Sequence, residues 1–360
     1  MNDPINRNTR NAIALLALFI APPRFLCAAD LAHYEPATGS SAVLEDHYPS
    51  VRTSFPWGVT GAPNLTYGTI PGYRPLTLDL YLPKPESGTS KSMRPLVIYL
   101  HGGGWFSGHS RQSGAFENWP EVLASIAARG YVVSSVNYRL SSEAPFPAAL
   151  QDVKSAVRWL RSNAAEYGID KTKVLVWGGS AGGQLAALTA TSCGLAELEP
   201  VSAVPTADNS AAAESDCVQA AITWYGIFDF ASLMNHQPAS ANPPAPGSPA
   251  PVNPALRYLG CPTSPCEQET IALASAVTQV SKNTPPMLLI HGTDDQTVPF
   301  AQSQSFHDAL AAAGGQVKLV PIVGVGHSFV AKSAAETRAA SLQALKESIE
   351  FMAATLGVHP

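Results

Sequence analysis

The chain has 360 residues, of which 46% are hydrophobic, so it can bury one large core, and one domain with insertions is expected rather than several. Lys and Arg (22) against Asp and Glu (27) give a net charge of −5 with no basic run, which points away from nucleic acid and anionic membrane surfaces. Charged residues make up only 14% beside 31 Pro and 27 Gly, which fits a loop-rich enzyme better than a helical scaffold.

In chain order, the first segment reads as a signal peptide over residues 1–29. Arg7 and Arg10 supply a positive start, and Ala12–Ala21 is apolar but short for a bilayer span. Cys27-Ala28-Ala29 places small residues for cleavage after Ala29. A membrane anchor or a buried helix is the alternative. A lipoprotein linked through Cys27 is disfavoured by the bulky Arg24-Phe25-Leu26 before it. The expectation is a secreted or periplasmic protein with no stable membrane insertion after cleavage.

Residues 30–75 carry turn formers with little periodicity and read as an N-terminal arm. Strands are predicted at Leu76–Leu82, Pro95–Leu100, Tyr131–Val136, Val174–Trp177 and Val218–Trp224. Helices are predicted at Glu121–Arg129, capped by Gly130, at Pro147–Asn163 and at Gly183–Thr191. Residues 227–284 break this rhythm and hold the low-complexity stretch ASANPPAPGSPAPVNP, so they read as a lid-like insertion. The pattern resumes with strands Met287–Ile290 and Gln316–Val320 and helices Ala301–Ala313 and Ala334–Leu356. Alternating strands and helices predict an α/β domain over residues 76–360: a doubly wound, mostly parallel sheet with helices on both faces.

Signal cleavage leaves four cysteines: Cys193, Cys217, Cys261 and Cys266. An even number in an exported protein suggests disulfides. Three connectivities are open, and closeness in sequence favours Cys193–Cys217 and Cys261–Cys266. No second Cys or His pair stands at zinc spacing from Cys261 and Cys266, so no metal site is expected.

Three segments carry chemistry. Gly178-Gly179-Ser180-Ala181-Gly182 is a G-x-S-x-G turn between an apolar strand and a helix, the setting that lifts a nucleophilic serine above a sheet. The alternative is a phosphate-binding or inert glycine turn. His101-Gly102-Gly103-Gly104-Trp105 follows a buried strand, and successive glycines can expose N–H groups to an oxyanion. The donors are assigned as the N–H groups of Gly103, Gly104 and Ala181. Asp295 lies in an H-G-x-x-D-x-x-V-P pattern running from His291 to Pro299, with Asp294 as the competing acid. His327, in Gly324-Val325-Gly326-His327-Ser328, stands where a general base is needed. Of the nine histidines, His101 and His291 read as structural hydrogen bonders, His307 as helix surface and His359 as tail. The order Ser180, Asp295, His327 is that of α/β-hydrolases.

These residues resemble the hormone-sensitive-lipase-like esterases and, more closely, the bacterial feruloyl-esterase-like (BD-FAE) branch. The resemblance runs from about Leu76 to Leu356, through LTLDLYLPK, HGGGW, VNYRLSSEAPFPAALQDVKSAVRWL, GGSAGG, TWYGIFDF, PPMLLIHGTDDQTVPF and GVGH. Gly179 stands where hormone-sensitive-lipase-like enzymes usually carry Asp, and the cysteines and Pro-rich stretch depart from the branch. The resemblance implies an α/β-hydrolase fold and a carboxylic-ester hydrolase that needs no cofactor. For an exported member it implies feruloyl or acetyl esters of plant polysaccharides, a small-molecule ester being the only partner expected.

A prolyl-oligopeptidase-type peptidase shares the triad order, but residues 30–75 are too few for its propeller domain. A lipase would need a mobile 227–284 lid. A non-catalytic hydrolase fold tends to lose the nucleophile or the histidine. Trp105, Trp224 and Tyr225, with Phe106 and Phe228, follow motif strands and are candidates to line an apolar or aryl pocket, the alternative being core.

Overall fold

The computed structural model describes residues 51–85, 92–200, 214–236 and 253–358. The segment expected to be a signal peptide, the start of the arm, most of the Pro-rich stretch and His359 lie outside the described residues. Nine strands form one sheet: β1 (Thr53–Ser54), β2 (Thr60–Gly68), β3 (Leu76–Leu82), β4 (Arg94–Leu100), β5 (Val132–Val136), β6 (Ile169–Gly179), β7 (Ala220–Trp224), β8 (Met287–Gly292) and β9 (Val317–Ile322), in the order β1-β2-β3-β5-β4-β6-β7-β8-β9. The β1–β2, β2–β3 and β3–β5 pairs are antiparallel, and every pair from β5 to β9 is parallel.

Alternate residues of each strand feed two separate cores. Leu78, Leu80, Leu96, Ile98, Val174, Val176, Met287 and Leu289 point to one face. There they pack on helices α2 (Ala148–Ser162), α4 (Ala181–Thr191) and α8 (Phe300–Ala312). Tyr81, Val97, Tyr99, Leu175, Trp177, Ile222 and Leu288 point to the other, against α1 (Trp119–Ala127) and α9 (Ala334–Leu356). Burying a large apolar side chain contributes about 1.5–3 kcal/mol. Two full faces therefore explain why the central strands read as unbroken apolar runs. The domain has the α/β-hydrolase fold.

Capping sets the helix ends. Asn118 accepts the Glu121 N–H, so α1 starts two residues earlier than its apolar pattern suggested. Ser333 Oγ accepts the Glu336 N–H and donates to Glu336 Oε2, capping α9, and Gly357 ends that helix at φ 70°. A further single turn, α3 (Ala164–Tyr167), follows α2.

Two expectations need correction. The described part of the N-terminal arm, 51–75, contributes β1 and β2 to the sheet. Its alternation was hidden because the register with β3 slips between Ala62 and Leu65, where Asn64 sits at φ 57°. The described residues of the 227–284 insertion are partly helical and partly core. They form α5 (Phe230–Asn235), α6 (Pro254–Tyr258) and α7 (Gln268–Ala274), and Phe230, Tyr258 and Ala274 are buried in the first core. The structure joins Cys193 to Cys217 and Cys261 to Cys266, with Cα separations of 4.9 and 5.2 Å. The first bridge lies beside a buried ionic cluster in which Lys154 and Arg158 face Glu199 and Asp216. Among the described residues, no helix is long and apolar enough to cross a membrane.

Candidate active site

The turn from β6 into α4 puts Ser180 at φ 54°, ψ −120°, outside the regions a side-chain-bearing residue normally adopts. Such a conformation costs on the order of 1–3 kcal/mol and persists only when its surroundings hold it. The Ser180 N–H donates to Trp224 O at 2.8 Å, and Ser180 O accepts from Gln184 N at 3.0 Å. Close backbone approach does the rest. A Cβ on Gly178 would lie 2.2 Å from Gly182 O, and one on Gly182 would lie 2.1 Å from Leu100 O. Only hydrogen fits at either position.

His327 opens a 3-10 turn after β9 and presents both ring nitrogens. Nε2 lies 2.9 Å from Ser180 Oγ, and Nδ1 lies 2.7 Å from Asp295 Oδ2. Asp295 Oδ1 accepts the N–H groups of Thr297 and Val298, both at 2.9 Å. Burial opposes ionisation of Asp295, but hydrogen bonds from His291, His327 and the Val298 N–H outweigh it and hold the carboxyl below its ordinary range. A carboxylate fixed this way sets the tautomer of His327, leaving Nε2 free to accept from Ser180. Asp294 is exposed and accepts from Thr293 Oγ1 at 2.9 Å. The acid that meets His327 is therefore Asp295.

The loop after β4 lies against the serine, since a Cβ on Gly102 would sit 3.4 Å from Ser180 Cβ. Gly103 (φ 109°) and Gly104 (φ 59°) reverse the chain so that Gly103 O accepts from Phe106 N, Ser107 N and Ser107 Oγ. Among the described residues, no backbone acceptor takes the Gly103 or Gly104 N–H. His101 anchors the loop. Burial lowers its pKa to about 4, so its neutral ring donates from Nδ1 to Gly102 O at 2.8 Å while stacking on Tyr138 at 4.3 Å.

Among the described residues, five of the seven positive-φ residues other than glycine belong to the segments around this centre: Trp105, Ser180, Tyr225, Ser328 and Phe329. Strain gathers where chain direction must serve the side chains rather than the ladder.

The three aromatic residues expected to line a pocket do not do so. Trp105 is 3% exposed, stacks on Tyr258 at 4.5 Å and donates to Gln184 Oε1 at 3.0 Å. Trp224 is 1% exposed and donates to Ser348 Oγ at 3.0 Å. Tyr225 is 3% exposed and meets the His327 ring edge-on at 4.9 Å. Trp224 and Tyr225 sit at the end of β7 in one core and Trp105 in the loop after β4 in the other, so their bulk serves packing. Phe228 is likewise buried, against Phe306. Phe106, next to Trp105, is 46% exposed, and its ring would lie 3.0 Å from a Cβ on Gly104. His291 is a hydrogen bonder, as its sequence context suggests, and one of its partners is Asp295 Oδ2 at 3.2 Å. The available signal was its position four residues before the acid.

The sheet order, the serine turn and the Ser–His–Asp hydrogen-bond chain define an α/β-hydrolase. Within that class the chain belongs to the BD-FAE family, whose sequence model matches residues 78–310. Esterase LipQ of Mycobacterium tuberculosis is 30% identical over 268 residues, 74% of this chain and 56% of LipQ. The chain spans about half the length of the curated relatives it matches. Among solved structures, esterase 2 of Thermogutta terrifontis is 28% identical with a TM-score of 0.61, over 82% of this chain and 93% of that one. A truncated carbohydrate esterase from gut microbiota shares the fold, with a TM-score of 0.65 at 24% identity over 86% of this chain and 99% of that one.

Proposed function

We propose that this protein is an exported serine carboxylic-ester hydrolase that works through an acyl-enzyme on Ser180. The observation that carries the reading is the unbroken chain Ser180 Oγ, His327 Nε2, His327 Nδ1 and Asp295 Oδ2, with links of 2.9 and 2.7 Å. His327 takes the Ser180 proton as Oγ attacks the ester carbonyl. The resulting oxyanion is received by the N–H groups of Gly103, Gly104 and Ala181. Each such donor is worth about 2.7–4 kcal/mol in the transition state. The protonated His327 hands its proton to the leaving alcohol. Water enters, gives a proton to His327 and attacks the acyl carbon, and Ser180 regains its proton as the acid leaves.

The substrates are short-chain or aryl esters, with feruloyl or acetyl groups on plant polysaccharides as the natural class. Family membership supports that class, and the two disulfides support export. The test is a series of p-nitrophenyl esters of rising acyl length, beside methyl ferulate and acetylated xylan. Turnover is expected to peak at short acyl chains, to extend to methyl ferulate or the acetylated xylan, and to vanish in Ser180→Ala with the fold unchanged. Turnover retained by Ser180→Ala overturns the mechanism, and preference for long acyl chains overturns the substrate class.

A further inference from the structure

The buried acid of this site serves two imidazoles. Asp295 Oδ2 accepts from His327 Nδ1 at 2.7 Å and faces His291 Nε2 at 3.2 Å. The side chains of His291 and Asp295 have no solvent exposure. His291 Nε2 also lies 2.9 Å from Val298 O, so this nitrogen meets two acceptors and must carry a proton. Its Nδ1 lies 2.6 Å from the hydroxyl of Ser303, a buried residue on α8. A hydroxyl there can donate to a bare Nδ1, the arrangement that matches an Nε2–H tautomer. The Phe300 ring meets the imidazole edge-on at 5.8 Å and keeps it from tilting.

From this arrangement we infer that His291 is a positioning residue for the hydrolytic step, acting through Asp295 on His327 with Ser303 as its anchor. The inference rests on the proposed role of His327 as general base. With Thr297 and Val298 on Oδ1 and two imidazoles on Oδ2, the carboxylate has four N–H donors and no freedom to rotate. The plane that orients the His327 ring is thereby set by a strand, β8, and a helix, α8, and not by the acid loop alone. His291 also draws part of the carboxylate charge away from His327. Without it, more of the carboxylate charge acts on His327, and the imidazolium is stabilised more strongly. The groups that face His327 are Ser180, Asp295 and, edge-on, Tyr225, whose phenol burial pushes far above its ordinary range and so keeps neutral. Asp295, the Val298 carbonyl, Ser303 and Phe300 face His291. The only group in either set that is ionised near neutral pH and contacts both rings is Asp295.

Two measurements test this. In wild type labelled with ¹⁵N-histidine, NMR should assign His291 to the Nε2–H tautomer, without substrate and without any assumption about turnover. An Nδ1–H tautomer overturns the proposal. The second is the pH profile of p-nitrophenyl acetate hydrolysis by His291→Phe and His291→Gln. Loss of a hydrogen bond to a charged group corresponds to about a ten- to hundredfold change. His291→Phe should lose kcat by that factor with KM within about twofold, and the acid limb of kcat/KM should move to higher pH. Gln places an amide N–H near the Nε2 position and should restore most of kcat and return the limb. A folded His291→Phe enzyme with wild-type kcat and an unmoved limb, or a Gln variant no better than Phe, overturns it. Should His291→Phe not fold, the tautomer and the Gln profile still decide. A wild type inert to all esters removes the esterase reading but leaves the tautomer result standing, so the two failures are separable.

Discussion

The two halves of the site meet at the hydrogen bond between Ser180 and His327, and they are held by different forces. On the serine side the constraint is shape. Glycines at 102, 178 and 182 let β4, β6 and α4 approach until a single methyl group would overlap a backbone oxygen. Trp105 then pins the glycine loop after β4 by stacking on Tyr258 of the insertion. On the acid side the constraint is charge. Asp295 is fixed by N–H donors, and two imidazoles share one of its oxygens. On the serine side an added atom breaks the fold, whereas on the acid side an isosteric change can leave the fold standing and still remove the function.

The sharpest way to break this contrast is Gly182→Ala. The new Cβ would stand 2.1 Å from Leu100 O and 2.6 Å from His101 O, and backbone cannot give way cheaply. The variant should fail to accumulate as folded protein, read by soluble yield and circular dichroism. The matching change on the acid side, Asp295→Asn, keeps volume and should leave thermal unfolding measurable while kcat falls about ten-thousandfold through the wrong His327 tautomer. Asp294→Asn should stay within about twofold of wild type, and steady-state kinetics of the pair checks both.

Smaller effects sharpen the picture. Trp105→Ala removes a buried stack and should cost about 3–5 kcal/mol in urea unfolding, with a larger loss of kcat than a mere pocket wall would give. His101 crosses the divide, since it is packed on the serine side yet titratable. Its pKa is lowered to about 4 in the folded state by burial, against the ordinary histidine value of about 6.5. A lowered pKa means the unfolded chain takes up the proton first. The stability from the neutral ring is therefore complete above about pH 6.5 and is lost as pH falls toward about 4. The loss should reach about 2 kcal/mol by about pH 5, and His101→Gln should flatten that slope in urea titrations. Phe106→Ala should be the mildest. An exposed residue changes stability within about 0.5 kcal/mol, so the expected readout is a raised KM for aryl esters with unchanged melting temperature.

Legibility followed the same divide. Leu76–Leu82 and Ala334–Leu356 are readable to the residue, because alternation and a long uninterrupted helical pattern need no partner to be recognised. β2 was not, because its bulge at Pro63-Asn64 makes sense only beside β3. The first half of β6 was also missed. Its Asp170-Lys171-Thr172-Lys173 run is polar, and only Arg94 and Pro95 of β4 pair with its start. Trp105, Trp224 and Tyr225 were misplaced for a related reason. Standing next to a motif says nothing about which way an aromatic ring turns.

By itself, the sequence determined the α/β alternation, the serine turn and the chain order of Ser180, an acid at 294 or 295 and His327, and it favoured two cysteine pairings by closeness. All of these are local patterns, written in residue type and spacing. Only the tertiary structure decided that Asp295 rather than Asp294 meets His327, that the insertion packs into the core, and that His291 reaches the same carboxylate. Those outcomes depend on contacts between segments far apart in the chain, which local spacing does not encode.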